Sequence, residues 1–409
     1  MEFVEIKEKE YRDFWENHPQ KTFQSAPEIG KLREKSGWTT YFVGLKDNKK
    51  LIASAMLLSH KRHFNKLEFY SPRGLLVDYK DLDTYKIFIE KIKEFVKEHN
   101  GYVFRMDPYI IYKQRDIDGN IVEDGIDNSN VVEFLKKEGF KQLPVEEREQ
   151  VSWMFSLGLE GKSEQEILKE MKSNTRNTIR KTEKIGITIK ELKYDELDRF
   201  QKIMIETGER KNFSVRGVEY YQNMYKLFAD KGEVKYFVTE LNLKDYIKKL
   251  QEEKKEKEAK IESLSDAKYN EGQKKGLTNE INSIDKRIKE AEETIKEKQT
   301  DTITLSGSMF IIIKPEIIYL SSGNYSEFMK YNSQYLLQWM MIKYGIENGF
   351  KKHNFYGIPA DINTHPKDYG IYEFKKGFNG YVEELIGEFV LPITWHYKLL
   401  KLIQKIKKH

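Results

Sequence analysis

Two turns in this chain each leave a charged side chain at the end of an extended run. Tyr70-Ser71-Pro72-Arg73-Gly74-Leu75 closes one such run in a Pro/Gly turn that presents Arg73. Phe104-Arg105-Met106-Asp107-Pro108 places Asp107 where a proline stops further strand pairing. Strand-end loops are where sites collect. A guanidinium there could hold an anion with paired donors, and a carboxylate could hold or deprotonate an amine. Taken alone, each turn fits a solvated side chain as well. A third feature is a basic stripe: Arg176, Arg180 and Lys184 recur at i, i+4 and i+8 of a predicted helix. It reads either as a track for nucleic-acid phosphates or as a solvated face.

Several chemistries are excluded or unsupported. There is no cysteine, hence no disulfide, thiolate zinc site or cysteine nucleophile. No glycine-bearing pyrophosphate loop leads from a strand into a helix, so acetyl-CoA is not the expected donor. Gly158-Leu159-Glu160-Gly161-Lys162-Ser163 is two residues short of a P-loop and reads as a turn before a helix capped by Ser163 and Glu166. His60-x-x-His63 is the only close histidine pair and lacks a third ligand nearby, which predicts no metal site.

The elements that must position these groups follow from length and periodicity. With 409 residues, two cores plus an accessory element are expected. The 33% charged content is concentrated in residues 241–300. There Leu243, Ile247, Leu250, Lys254, Lys257, Ile261 and Leu264 step by fours and threes, as do Leu277, Ile281, Ile284, Ile288, Ala291 and Ile295. A turn near Gly272 and Gly276 would fold them into an antiparallel coiled coil, with the two lysines weakening its middle.

Removing that insertion exposes a repeat. Tyr41-Phe42-Val43, the run 51–58, Leu67–Ser71, a helix 82–98 and Gly101–Phe104 are echoed by Tyr236-Phe237-Val238, 303–312, Ile317–Ser321, a helix 331–347 and Lys352–Tyr356. Strand, strand, strand, helix, strand predicts an α+β fold of two tandem GNAT-like acyltransferase domains with an inserted antiparallel coiled-coil hairpin. The expected divisions are 1–149 for the first domain, 150–240 with 301–390 for the second, and 241–300 for the hairpin, with the tail 391–409 packing on the first domain.

In order along the chain, Phe23-Gln24-Ser25, Ser71-Pro72-Arg73-Gly74, Arg105-Met106-Asp107-Pro108, the helix Ser173–Lys181, Thr207 to Tyr221 and Phe374-Lys375-Lys376-Gly377-Phe378 resemble the Fem peptidyltransferase family. The resemblance runs from about residue 3 to the end of the chain and includes the coiled-coil arm. It implies transfer of an amino acid from aminoacyl-tRNA, as co-substrate and without a cofactor, to the stem peptide of a peptidoglycan precursor. That acceptor would be lipid II or UDP-MurNAc-pentapeptide. By family position, Arg216 and Tyr220 would hold the acceptor diphosphate, with Lys35 or Arg33 as the second cation. Asp107 would lie by the acceptor peptide, Arg73 and Phe374 in the substrate-binding motifs, and Lys375 by the transfer site. The family tyrosine before the last long helix falls at Tyr325 or at Phe328, which has no hydroxyl. An aminoacyl ester is already activated, so positioning and an oxyanion donor suffice, and no covalent nucleophile is expected.

Neither a signal sequence nor a spanning segment is apparent, which predicts a cytoplasmic monomer. The segment Trp395–Lys408 is amphipathic, with Leu399, Leu402, Ile403 and Ile406 on one face. It could lie on the inner leaflet or pack on the first domain. Two other readings share the fold: an aminoacyl-tRNA-protein transferase, and a binding protein for tRNA or precursor without catalysis.

Overall fold

The computed structural model describes residues 1–62, 65–265, 267–360 and 369–406. Two mixed sheets form its frame. The first has seven strands, in the order Glu2–Glu5, Thr39–Asp47, Lys50–Lys61, Leu67–Ser71, Gly101–Met106, Phe389–Pro392, Lys141–Gln142. The second has eight, in the order Ile111–Gln114, Tyr381–Leu385, Trp153–Gly158, Lys352–Gly357, Glu316–Asn324, Thr302–Ile313, Val234–Asn242, Thr188–Glu191. Each contains one parallel pair, Leu67–Ser71 with Gly101–Met106 and Glu316–Asn324 with Lys352–Gly357. Parallel neighbours need a crossover, and a helix supplies it in each case: Leu82–Glu98 and Ser333–Glu347. In the first helix Tyr85, Phe88, Ile89, Ile92, Phe95 and Val96 are buried at helical spacing, and the Asp81 carboxylate caps its start by accepting from the Thr84 amide at 3.1 Å.

The sheets exchange strands. Ile111–Gln114, early in the chain, pairs with Tyr381–Leu385 of the second sheet, and Phe389–Pro392 returns to pair with Gly101–Met106 of the first. One apolar cluster also spans both units, joining Tyr11, Trp15, Phe23, Ile29 and Met56 to Phe200, Tyr221, Tyr236, Met309 and Ile318.

The arm is two helices, Leu243–Ser263 and Glu271–Lys298. The glycine pair lies inside the second helix, not at the turn expected there; the chain reverses before it, through Lys268–Asn270. Asn270 fixes that reversal by donating from Nδ2 to the Ser265 carbonyl and Oγ, both at 3.0 Å. The two seam lysines are bridged across the arm, Lys254 to Asp285 at 2.7 Å and Lys257 to Glu280. At its base the seam runs into the second unit: Leu243, Tyr246, Leu250, Ile284 and Ala291 cluster with Ile303, Leu305, Phe328 and Tyr331.

The helix Trp395–Ile406 packs on the first sheet through Tyr397 and Leu400, against Tyr102, Val103 and Val390. The face expected to be apolar is rotated relative to this contact. Leu402 and Trp395 face outward, 57% and 65% exposed. The side chain of Ile406 and residues Lys407 and Lys408 lie outside the described residues. Among the described residues no helix is long and apolar enough to cross a membrane.

Candidate active site

The parallel strands of the second sheet stay paired only from Glu316↔Lys352 to Ile318↔Asn354 and then part. Their divergence opens a cavity of about 610 Å³ between Tyr319–Ser322 on one side and Phe355–Gly357 on the other. Gln334, at the start of the crossover helix, fixes one wall with all four side-chain bonds made. Its Oε1 accepts from Ser308 Oγ at 2.9 Å and Tyr319 OH at 3.1 Å, while its Nε2 donates to the Gly307 and Gly323 carbonyls at 3.2 and 3.1 Å. Phe374 lines the cavity and meets Tyr335 edge-on at 4.8 Å.

Lys375 projects into this space from the helix Tyr369–Lys376 and is 5% exposed. Its ammonium donates to the carbonyls of Gly357 at 2.5 Å and Tyr356 at 3.2 Å. Burial, helped by the positive charge of Lys211, brings its pKa down to about 7. As an ammonium it has three N–H donors; two carbonyls take two and one remains for an oxygen that becomes negative in the cavity.

Asp107 and Arg73, expected at exposed strand ends, are 2% exposed and paired with each other. Arg73 NH1 lies 3.3 Å from Asp107 Oδ2, and Asp107 Oδ1 accepts from Tyr70 OH at 2.7 Å and the Arg73 amide at 3.0 Å. Arg73 also donates to Gln24 Oε1 at 3.3 Å and the Val151 carbonyl at 2.8 Å. Burial outweighs these partners and raises the Asp107 pKa to about 6. The parallel strands of the first sheet, unlike those of the second, stay paired to their ends at Ser71↔Met106, and the pair lies just beyond. Shut in this way, Asp107 holds Arg73 in place and is not presented to an incoming amine.

The residues expected to hold an acceptor diphosphate lie at the junction of the units. The Arg216 guanidinium is 5.5 Å from the Tyr220 ring centroid, and Arg33 is 5.8 Å from that of Trp38. Burial raises the Tyr220 pKa, while the charges of Arg216 and Arg33 oppose the rise, so both cations face this tyrosine. Lys35 sits at the end of the helix Pro27–Glu34 and donates to Asn223 Oδ1 at 2.6 Å. Arg33 is thus within electrostatic reach of Tyr220, while Lys35 meets the same helix, Val218–Phe228, at Asn223. Phe328 belongs to the base of the arm, and Tyr325 lies between that base and the shared core, outside the lining of the lysine cavity.

The basic stripe lies whole on the helix Ser173–Ile185, which a break separates from Glu164–Glu170; Arg176 donates back across that break to the Lys169 and Met171 carbonyls at 2.7 and 2.5 Å. Arg180 and Lys184 stay exposed. The expected Ser163/Glu166 capping box is present. His60 packs beside Trp38, with ring centroids 5.0 Å apart, and its sequence neighbour His63 lies outside the described residues.

Sequence reasoning assigned no role to Gln24, Gln334, Lys211 or Tyr356, which complete these surroundings. Gln24 and Lys211 stood within segments of the family resemblance; Gln334 and Tyr356 are brought to the site by the fold, not by spacing.

Paired α+β units, one with parted strands around a buried lysine, have the tandem GNAT-like fold. A tandem GNAT protein of the clavulanic acid pathway has the same fold, with a TM-score of 0.50 over 96% of this chain and 98% of its own, at 8% identity. The FemAB family model matches residues 6–405, and the chain belongs to that family. It is 31% identical over 422 residues to the aminoacyltransferase FemB of Staphylococcus epidermidis and 29% identical over 421 residues to FemA of the same species, each alignment covering 100% of both chains. A crystal structure of FemX superposes with a TM-score of 0.75 at 25% identity, covering 98% of this chain and 100% of the other. This protein is an aminoacyltransferase.

Proposed function

We propose that this aminoacyltransferase takes an amino acid from aminoacyl-tRNA and joins it to the side-chain amine of the stem peptide of a peptidoglycan precursor, building the interpeptide bridge. The observation that carries the reading is Lys375, buried in the cavity of the parted strands with only backbone carbonyls as hydrogen-bond partners among the described residues. The amine attacks the ester carbonyl and a C–N bond forms. The carbonyl oxygen becomes negative and takes the remaining Lys375 donor; the C–O bond to the ribose then breaks, and the amine's proton ends on the departing ribose oxygen. Positioning supplies the rest of the rate, and neither metal nor cofactor takes part.

Arg216, Arg33 and Tyr220 hold the acceptor's diphosphate, which lipid II and UDP-MurNAc-pentapeptide share. Lys35 contributes at most from the rim. Asp107 and Arg73 shape the floor between acceptor and transfer site. Arg180 and Lys184 form what is left of a tRNA track. The outward Trp395 and Leu402, beside Lys398, suit contact with the anionic inner leaflet, where a lipid-linked acceptor would lie.

The test is transfer by the purified protein from charged tRNA pools to each precursor, read by mass spectrometry of the acceptor. A mass increase of one or more aminoacyl residues is expected with tRNA and none with acetyl-CoA. Transfer from a CoA thioester in RNA-free conditions overturns the reading. Within that assay Arg216→Ala should weaken acceptor binding by about 1.5–3 kcal/mol with a smaller change in kcat, and Lys375→Ala should lower kcat on the order of a hundredfold. If both variants raise only the acceptor KM, Lys375 is a binding residue.

A further inference from the structure

The strand Lys352–Gly357 loses its register with Trp153–Gly158 between Asn354 and Gly357, and Tyr356 sits in that irregularity with φ of 63°. A tyrosine seldom adopts this left-handed backbone, so something must hold it there. Two contacts do. The Tyr356 amide donates to Asn354 Oδ1 at 2.8 Å, and Asn354 is itself oriented by donating from Nδ2 to Glu316 Oε2 at 3.0 Å. At the far end of the side chain, Tyr356 OH accepts from Gln24 Nε2 at 3.3 Å, and Gln24 Oε1 accepts from Arg73 Nε. The backbone carbonyls of Tyr356 and its neighbour Gly357 are the two acceptors of the Lys375 ammonium.

We infer that Tyr356 is a positioning residue for the transfer lysine: its ring is anchored on Gln24 and Arg73 of the first unit, and that anchor sets the peptide that aims Lys375. The inference rests on the placement of the transfer site at Lys375. Tyr356 packs, as Tyr220 does, against the core that both units share, and its carbonyl meets Lys375. The buried Arg73–Asp107 pair thereby gains a role that neither residue has by touching substrate. It holds Gln24 still, and Gln24 holds the tyrosine. The first unit, whose own parallel strands stay paired to their ends, in this way contributes to the geometry of the second.

The test uses the full chain with Gln24→Ala and the conservative Tyr356→Phe, each also combined with Lys375→Ala. Thermal unfolding of each variant confirms that it folds. Each single change should lower kcat by roughly tenfold while both KM values stay within about twofold. The pH at which kcat declines should also move down, because a lysine that has lost its carbonyl acceptors gives up its proton more readily. In the Lys375→Ala background neither change should cost anything further, since both act through the lysine. Undiminished kcat in Tyr356→Phe and Gln24→Ala, or an equal loss in both backgrounds, overturns the inference. If Lys375→Ala itself keeps the parent kcat, the transfer-site reading fails with it. If Lys375→Ala is impaired and the other two are not, the inference fails alone.

Discussion

Lys375 costs the fold stability because its charge has been taken out of water with no carboxylate partner among the described residues. Its pKa is about 7 in the folded chain against an ordinary 10.5, so between those values the unfolded chain holds more protons and stability rises with pH. The penalty is therefore complete below about pH 7 and gone near pH 10.5. Lys375→Met should be inactive, yet more stable than the parent at pH 6 by on the order of 1–3 kcal/mol, after allowing for two carbonyls that lose their donor. That advantage should shrink steadily towards pH 10. Urea midpoints at several pH values measure it, and a gap independent of pH would mean that the lysine keeps its ordinary pKa in the folded protein. The sequence located Lys375 and Asp107 through motifs, because motif residues are adjacent in the chain. It could not show that Asp107 is enclosed, since Tyr70, Gln24 and Val151, which surround the pair, come from separate segments. The choice between Arg33 and Lys35 was open for the same reason: it depends on where the helix carrying Tyr220 lies.

Among the elements, the arm shows what periodicity can and cannot tell. The four-three stepping of Leu243, Ile247 and Leu250, and of Ile284, Ile288 and Ala291, was legible because a seam is local to each helix. Its attachment was not. Phe328 and Tyr331 reach the base from a separate turn, Tyr246 meets Tyr331 edge-on at 5.9 Å, and Glu290 and Glu327 pair with Lys330 and Lys298 at 2.6 and 2.9 Å. Joining Lys254 to Ile284 by a short Gly/Ser link should thus leave stability nearly unchanged, since it removes only the outer seam. Replacing 243–300 entirely should cost several kcal/mol, at about 1.5–3 kcal/mol for each large apolar side chain left uncovered. Chemical denaturation of both variants decides the point; equal stabilities would show the base contacts to be without weight. The break between Glu164–Glu170 and Ser173–Ile185 escaped the sequence because nothing there is a helix breaker. Met171 instead leaves the helix with ψ of 150°, and Arg176 satisfies the carbonyls that the break releases.

For the molecule as a whole, the internal repeat was legible as an order of elements, whereas the joining of its copies was not. Strand exchange and the common core pair residues more than a hundred positions apart, and no periodicity reports such contacts. Polar ties reinforce the junction, among them Glu28, which accepts from Lys231 at 2.9 Å while also paired with Arg12, Gln24, which donates to Tyr356, and Tyr109 OH, which donates to Glu316 at 3.2 Å. Two units held in this way should not unfold one after the other. Ile29 tests this because it is 7% exposed, lies on a first-unit helix and belongs to the core that both units share. Ile29→Ala should cost about 2–4 kcal/mol and move a single calorimetric transition to lower temperature. The calorimetric and van't Hoff enthalpies should agree before and after the change. Two resolved transitions, with only the earlier one displaced, would show that the shared core does not couple the units, and a first unit able to move independently could not hold the transfer lysine through Gln24 and Tyr356.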